Sequence, residues 1–347
     1  MLQSVRKHLA TLVGRRTAHA APTMPEGVDA HAVREALARF HEDAQARYAR
    51  VFLQGQPLLA TRQERPLFEQ LAACAIVERL GPSIYQPCVR LFPLYGKFVA
   101  TDLLSHREPD QVFSLMFEQV YLVRNMDVRP DDHVLELCLG SGVNSLFAAE
   151  TAASVTGVDI NPRALSFAVW NAWLNEPAGP FQAHEGSLFT PVEDQGFDLI
   201  VVNPPFELVP EGEQWFLHSD GGEDGLDVIR TILEETPPHL NEGGRFEIIT
   251  WSPGTEAGPL LVDLLREAFP RHRLHVHVLD VGPVEAHLEP FRKAPGYDAY
   301  VDRLHAQGLT DVYFLFARAE PAATPGVEIT HPEAEVAACD ALADPWR

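Results

Sequence analysis

Residues 134–144 read V-L-E-L-C-L-G-S-G-V-N. An apolar run ending in closely spaced glycines marks a buried strand that turns tightly into a helix. Glycine lets the backbone approach a ligand where a Cβ would block it. The dinucleotide fingerprint G-x-G-x-x-G is not completed, because no third glycine follows Gly140 and Gly142 in register. Cys138 stands where a first glycine is expected. A ligand without a pyrophosphate fits this turn better than a phosphate chain.

Glu136 lies inside the otherwise apolar run. A carboxylate in such a strand is costly unless something bonds it, so it is expected near the ligand. The next apolar run ends at Asp159, in G-V-D-I-N-P. An acid one βα unit after a glycine turn can take both hydroxyls of a ribose. The alternative is that Asp159 only helps start the helix at Pro162.

Downstream, apolar strands and amphipathic helices alternate regularly. Strands are expected at 133–139, 154–159, 181–184, 199–203, 245–250, 274–281 and 312–317, and helices at 144–151, 163–174, 226–240 and 260–269. Such alternation builds a largely parallel sheet covered on both faces. No clear crossover helix precedes the last strand, which is consistent with its entering antiparallel. Residues 29–80 show helical spacing, with Val33, Leu37 and Phe40 in one stripe and Leu67, Leu71 and Ile76 starting another. Residues 89–104 read as a hairpin or connector turning at Gly96, and residues 110–126 as an apolar helix. The tail after Glu320, rich in Ala, Pro and acids, is expected to be loose.

The fourth strand ends in Asn203-Pro204-Pro205-Phe206. The Asn203 side-chain oxygen and the Pro204 carbonyl can accept the hydrogens of a planar nitrogen and aim its lone pair. The prolines add no competing donor, and Phe206 can stack on a flat group. The plainer reading is a proline turn closing a strand, with Phe206 in the core. An acidic stretch comes next, with Glu207, Glu211, Glu213, Asp220, Glu223, Asp224 and Asp227 before Arg230. It is either a solvated loop or a surface that attracts a cationic substrate. Trp215, Phe216 and His218 interleave it and can line a lid. The insertion carrying Glu285, His287, Arg292, Lys293, Tyr297 and Tyr300 can close over the pocket from the far side. His287 and Glu289 lack the support a metal site needs.

The formal net charge is -22. Nucleic-acid binding draws on a basic surface, so this charge counts against an RNA or DNA substrate. No apolar run approaches membrane-spanning length. Cys74, Cys88, Cys138 and Cys339 form no C-x-x-C pair, which fits a reducing cytoplasm. The first twenty residues carry Arg6, Lys7, Arg15 and Arg16 and no acid. They read as a frayed cationic helix or as a targeting segment.

The ordered set V-L-E-L-C-L-G-S-G, G-V-D-I-N-P-R-A, F-D-L-I-V-V-N-P-P-F, G-G-E-D-G-L-D-V-I-R and L-N-E-G-G-R-F resembles the class I S-adenosylmethionine-dependent methyltransferases. It is most similar to the "small" methyltransferase domain and the release-factor glutamine methyltransferase branch. The resemblance implies a doubly wound, seven-stranded, mostly parallel α/β sheet, here behind an N-terminal helical domain. The division is then 1–28, a flexible cationic N-terminus; 29–108, a helical cover or substrate domain; 109–320, the cofactor-binding domain; and 321–347, the tail. It places S-adenosyl-L-methionine against Glu136, Gly140, Gly142, Asn144, Asp159, Ile160, Ser187, Leu188 and Asn203. The acceptor would meet Asn203, Pro204 and Phe206. Ser187 stands where relatives often carry an aspartate for the adenine amine, and Leu188 would offer a backbone contact instead.

Methyl transfer to nitrogen of a small amine- or amide-bearing molecule or peptide is the leading expectation. Protein glutamine and an RNA base are further acceptors by resemblance. Two other readings stay open: cyclisation of the cofactor's aminobutyl chain to azetidine-2-carboxylate with release of methylthioadenosine, and an inactive binding subunit of the same fold.

Overall fold

The computed structural model describes residues 20–343. Most of the cationic N-terminal segment, residues 1–19, lies outside the described residues. The first helix, Ala30–Asp43, starts at Asp29, whose side chain accepts the His31 and Ala32 N–H groups. Val33, Leu37 and Phe40 are buried, as their spacing predicts. The helix Arg65–Ala73 buries Leu67 and Leu71 but stops before Ile76, because Ala75 adopts a left-handed backbone at φ 60°.

The N-terminal unit also contains strands ahead of the expected hairpin, which corrects the expectation of helices alone over residues 29–80. Strands β1 (Leu58–Leu59), β2 (Val77–Gly81) and β3 (Ile84–Pro87) form a small sheet in the order β1-β3-β2. Strands β4 (Val89–Leu94) and β5 (Lys97–Asp102) form the expected hairpin, turning at Tyr95 and Gly96 with φ of 46° and 82°. Phe40, Tyr48, Phe52, Phe68 and Tyr85 fill the core of this unit, and Phe167 and Trp170 of the neighbouring domain belong to the same cluster.

The main sheet contains β6 (His133–Leu137), β7 (Ser154–Asp159), β8 (Phe181–Glu185), β9 (Phe197–Val202), β10 (Leu240–Thr255), β11 (Gly258–Pro259), β12 (His272–Pro283), β13 (Asp311–Pro321) and β14 (Gly326–Thr330). Its order is β14-β12-β13-β10-β9-β6-β7-β8, with β11 paired to β10. Strands β8, β7, β6, β9 and β10 run parallel, and β13 is antiparallel to both β10 and β12. The expected seven strands are present, and β11 and β14 extend them to nine. The tail is therefore not loose throughout: β14 pairs with β12, and the helix Glu333–Ala343 comes after it.

Central strands are apolar on both faces because helices cover both sides. Leu135, Leu137, Leu199, Ile200, Val201 and Val202 are at most 1% exposed. The helix expected over 226–240 covers only Asp227–Glu235, ended by Pro237 and Pro238. That expected over 110–126 covers only Phe117–Asn125. Residues 110–116 instead run as irregular chain toward the carboxyl ends of β6 and β9. Those strands are neighbours from which the connections depart in opposite directions, the place where open α/β sheets leave a crevice.

Candidate active site

The glycine turn and the proline turn leave adjacent strands, β6 and β9, and both line one cavity of about 630 Å³. At the glycine turn Cys138, Gly140 and Gly142 have φ of 56°, 54° and 72°. Cysteine is a costly choice for the left-handed region, about 1–2 kcal/mol, which explains why a glycine is expected there. A Cβ on Gly142 would lie 2.8 Å from the Ala168 Cβ, so this glycine admits the helix Pro162–Asn175. A Cβ on Gly140 would meet nothing closer than 3.9 Å.

Glu136 is 2% exposed. Its Oε1 accepts from Asn144 Nδ2 at 2.8 Å, and its Oε2 accepts from the Ser145 N–H at 2.8 Å and from the Ser145 hydroxyl. It thus fastens the strand to the start of the helix Val143–Ala148. Burial raises its carboxyl to about 7, against those hydrogen bonds and helped by the nearby Asp159 charge. Asp159 closes β7. Its Oδ2 accepts the Gly140 N–H at 2.8 Å and its Oδ1 the Asn161 N–H at 2.8 Å. Burial raises this carboxyl too, and its backbone donors oppose the shift. Asn161 caps the next helix through Arg163 N, so Asp159 need not.

At the proline turn, the Asn203 Oδ1 is buried and has no partner among the described residues. The chain after Phe206 folds back: the Glu207 N–H donates to Ser219 O at 2.7 Å and the Gly221 N–H to Glu207 O at 3.0 Å. The glycines of G-G-E-D-G make this possible. A Cβ on Gly225 would stand 2.5 Å from the Phe206 carbonyl oxygen. Leu217 is tied to Pro109 O at 3.0 Å, and His218 packs on Phe113 at 4.8 Å between ring centroids. His218 also pairs with Gln111 at 3.3 Å and Ser219 at 2.7 Å. Burial lowers its imidazole to about 4, so it is neutral at pH 7.

Of the residues expected at the site, Glu136, Gly140, Asn144, Asp159, Ile160, Ser187, Leu188, Asn203, Pro204 and Phe206 line the cavity. Gly142 does not; it lies behind the turn. Trp215 packs on Phe291 at 4.6 Å rather than over the cavity. The insertion at 284–306 does not close the pocket either. It props the acidic loop from behind, through Tyr300 and Arg303 bonded to Glu223. Sequence reasoning missed the wall made by Gln111, Phe113, Glu118 and Gln119, and the lining role of Glu207. Burial raises Glu118 and Glu207 to about 7 each, and for Glu118 the Glu207 charge adds to the rise. Among the described residues no lysine or arginine lines the cavity.

The family model described as "Methyltransferase small domain" matches residues 105–274. The chain is 40% identical over 123 residues to the ribosomal protein uL3 glutamine methyltransferase of Bradyrhizobium diazoefficiens, covering 33% of this chain and 39% of that one. It is 35% identical over 145 residues to a putative protein N5-glutamine methyltransferase of Methanocaldococcus jannaschii, covering 40% of this chain and 72% of that one. Among solved structures, a Thermus thermophilus 16S rRNA N2 G1207 methyltransferase aligns at a TM-score of 0.39 with 17% identity, over 75% of this chain and 62% of that one. The chain spans about two fifths of the length of the Bradyrhizobium relative. With the glycine turn, the acid closing β7 and the proline turn gathered at one crevice, the chain belongs to the class I S-adenosylmethionine-dependent methyltransferases, in the small-domain branch, and its cofactor is S-adenosyl-L-methionine.

Proposed function

We propose that the chain methylates the side-chain amide nitrogen of a glutamine in a protein or peptide. The observation that carries this reading is the buried Asn203 Oδ1, unpartnered among the described residues, at the end of β9 beside the glycine turn. A buried acceptor without a donor costs about 1–3 kcal/mol, and a donor on the ligand recovers it. Asn203 Oδ1 and the Pro204 carbonyl would take the two N–H groups of a primary amide. Holding both hydrogens turns the nitrogen lone pair toward the cofactor end of the cavity. Phe206 would lie against the flat amide.

The residues fit the cofactor. Each Asp159 oxygen holds a backbone donor and keeps acceptor capacity for a ribose hydroxyl. Asn144, 3% exposed, has an Oδ1 without a partner among the described residues and lines the same end of the cavity. The bound cofactor supplies an electrophilic methyl group on a sulfonium. An amide nitrogen that took this methyl group from the sulfonium sulfur would have to give up one proton. Glu118 and Glu207, ionising near pH 7, are suited to accept it. Two relatives named as glutamine methyltransferases support the acceptor. The acidic lining disfavours a phosphate backbone.

A second reading, a small amine acceptor, is favoured by Glu118 and Glu207 lining a cavity that, among the described residues, has no lysine or arginine in its wall. One experiment separates the readings. The protein is incubated with methyl-labelled S-adenosylmethionine alone, with a glutaminyl peptide, with its asparaginyl counterpart and with small amines. Label on the glutaminyl peptide only, with S-adenosylhomocysteine as co-product, supports amide transfer. Label on amines instead supports the second reading. Methylthioadenosine formed without an acceptor overturns both.

A further inference from the structure

Alternate residues of β5 are bonded to side chains on the helix Pro162–Asn175. Phe98 donates its N–H to Asn175 Oδ1 at 2.9 Å and accepts Asn175 Nδ2 at 2.8 Å on its carbonyl. Ala100 does the same with Asn171, at 2.7 Å and 3.0 Å. Asp102 closes the series, accepting Arg163 Nε at 2.8 Å. A carboxamide offers a donor and an acceptor in one plane, so each asparagine stands in for the strand that β5 lacks on this edge.

The asparagines differ in where their remaining hydrogen goes. The second Asn175 hydrogen stays within the helix, on Asn171 O at 2.8 Å. The second Asn171 hydrogen crosses to Ser141 O at 2.8 Å. Ser141 lies between Gly140 and Gly142 and lines the cavity. Asn171 is 0% exposed, so none of these bonds can be exchanged for water without opening the domain joint.

We propose that Asn171 is a positioning residue for the cofactor turn, and that through it the β4–β5 hairpin of the N-terminal unit is an energetic part of the cofactor site. A turn with left-handed residues at 138, 140 and 142 has little preference of its own for this shape. One bond is internal, the Gly142 N–H to Leu139 O at 2.8 Å; from outside, Asp159 holds the Gly140 N–H, Val158 O the Leu139 N–H, and Asn171 the Ser141 carbonyl. Whatever favours the ordered turn favours the bound nucleoside, and by linkage the nucleoside tightens β5 against the helix. The inference rests on the cofactor reading of this turn.

Asn171→Ala and Asn175→Ala provide a matched pair. Each removes one carboxamide from the β5 edge, but only the first touches the turn. S-adenosylhomocysteine affinity is measured by calorimetry and stability by thermal melting. The expected result is a comparable fall in Tm for both variants. The dissociation constant should rise about 5–10-fold for Asn171→Ala and stay within a factor of about two for Asn175→Ala. Equal weakening in both, or unchanged affinity in Asn171→Ala, overturns the proposal. Should Asn171→Ala not fold, amide hydrogen exchange on the unmodified protein decides. The nucleoside should slow exchange at the Ala100 N–H and leave the Ala60 N–H, bonded to Ser83 O in the same unit, as it was. An unchanged rate at Ala100 overturns the proposal. If the unmodified protein binds no nucleoside, the cofactor reading fails, which is a different result from tight binding with an insensitive Asn171.

Discussion

The Asp159 Oδ2 accepts the Gly140 N–H at 2.8 Å. This bond joins the end of β7 to the turn leaving β6, so the acid shapes the glycine turn as well as lining the cavity. Asp159→Asn can present an amide nitrogen to that N–H and loses the charge that favours hydroxyl donors. The expected outcome is about 10–100-fold weaker S-adenosylhomocysteine binding, read by calorimetry, with the fold intact by circular dichroism.

Gly140 and Gly142 differ although both sit at positive φ. Gly142→Ala should destabilise the chain by about 2–4 kcal/mol, from backbone strain plus the clash with Ala168. Gly140→Ala meets no such neighbour and should cost only about 1–2 kcal/mol. Urea unfolding of both variants measures the difference. Equal losses would mean that the close helix approach at Gly142 does not matter.

The residues legible in the sequence are those whose spacing carries a local signal. Strand β7 begins and ends where its apolar run does, at Ser154 and Asp159. The helix 162–175 is announced by Asn161-Pro162. The wall at 111–119 is not legible, because Val112 and Leu115, three apart, suit a helix as well as a chain lining a cavity. Strand β14 has a short alternating run, Val327-Glu328-Ile329, lost among Pro and acidic residues. Asn171 and Asn175 do carry a signal. Two asparagines four apart on an otherwise apolar stretch, W-N-A-W-L-N, call for buried partners. The partners, 71 and 77 residues away in sequence, have no local trace.

Glu118 and Glu207 ionise near pH 7 in the folded chain, against an ordinary 4.5. A raised value means that the folded chain holds more protons between these limits. Their contribution to stability is therefore full below pH 4.5 and lost as pH rises through 7. Glu118→Gln removes that loss at its position. It should be more stable than the parent by about 1–2 kcal/mol at pH 8, a figure discounted for partial solvent access. The advantage should vanish toward pH 4.5. Melting curves across this range test the sign.

In the proposed function one crevice holds the cofactor at β6 and β7 and the acceptor nitrogen at Asn203. Asn203→Ala, measured for both nucleoside affinity and turnover, tests it most directly. S-adenosylhomocysteine affinity should stay within about threefold of the parent while methyl transfer falls by at least about 100-fold. Parallel loss of affinity and turnover, or no binding of the nucleoside by the unmodified chain, would contradict it.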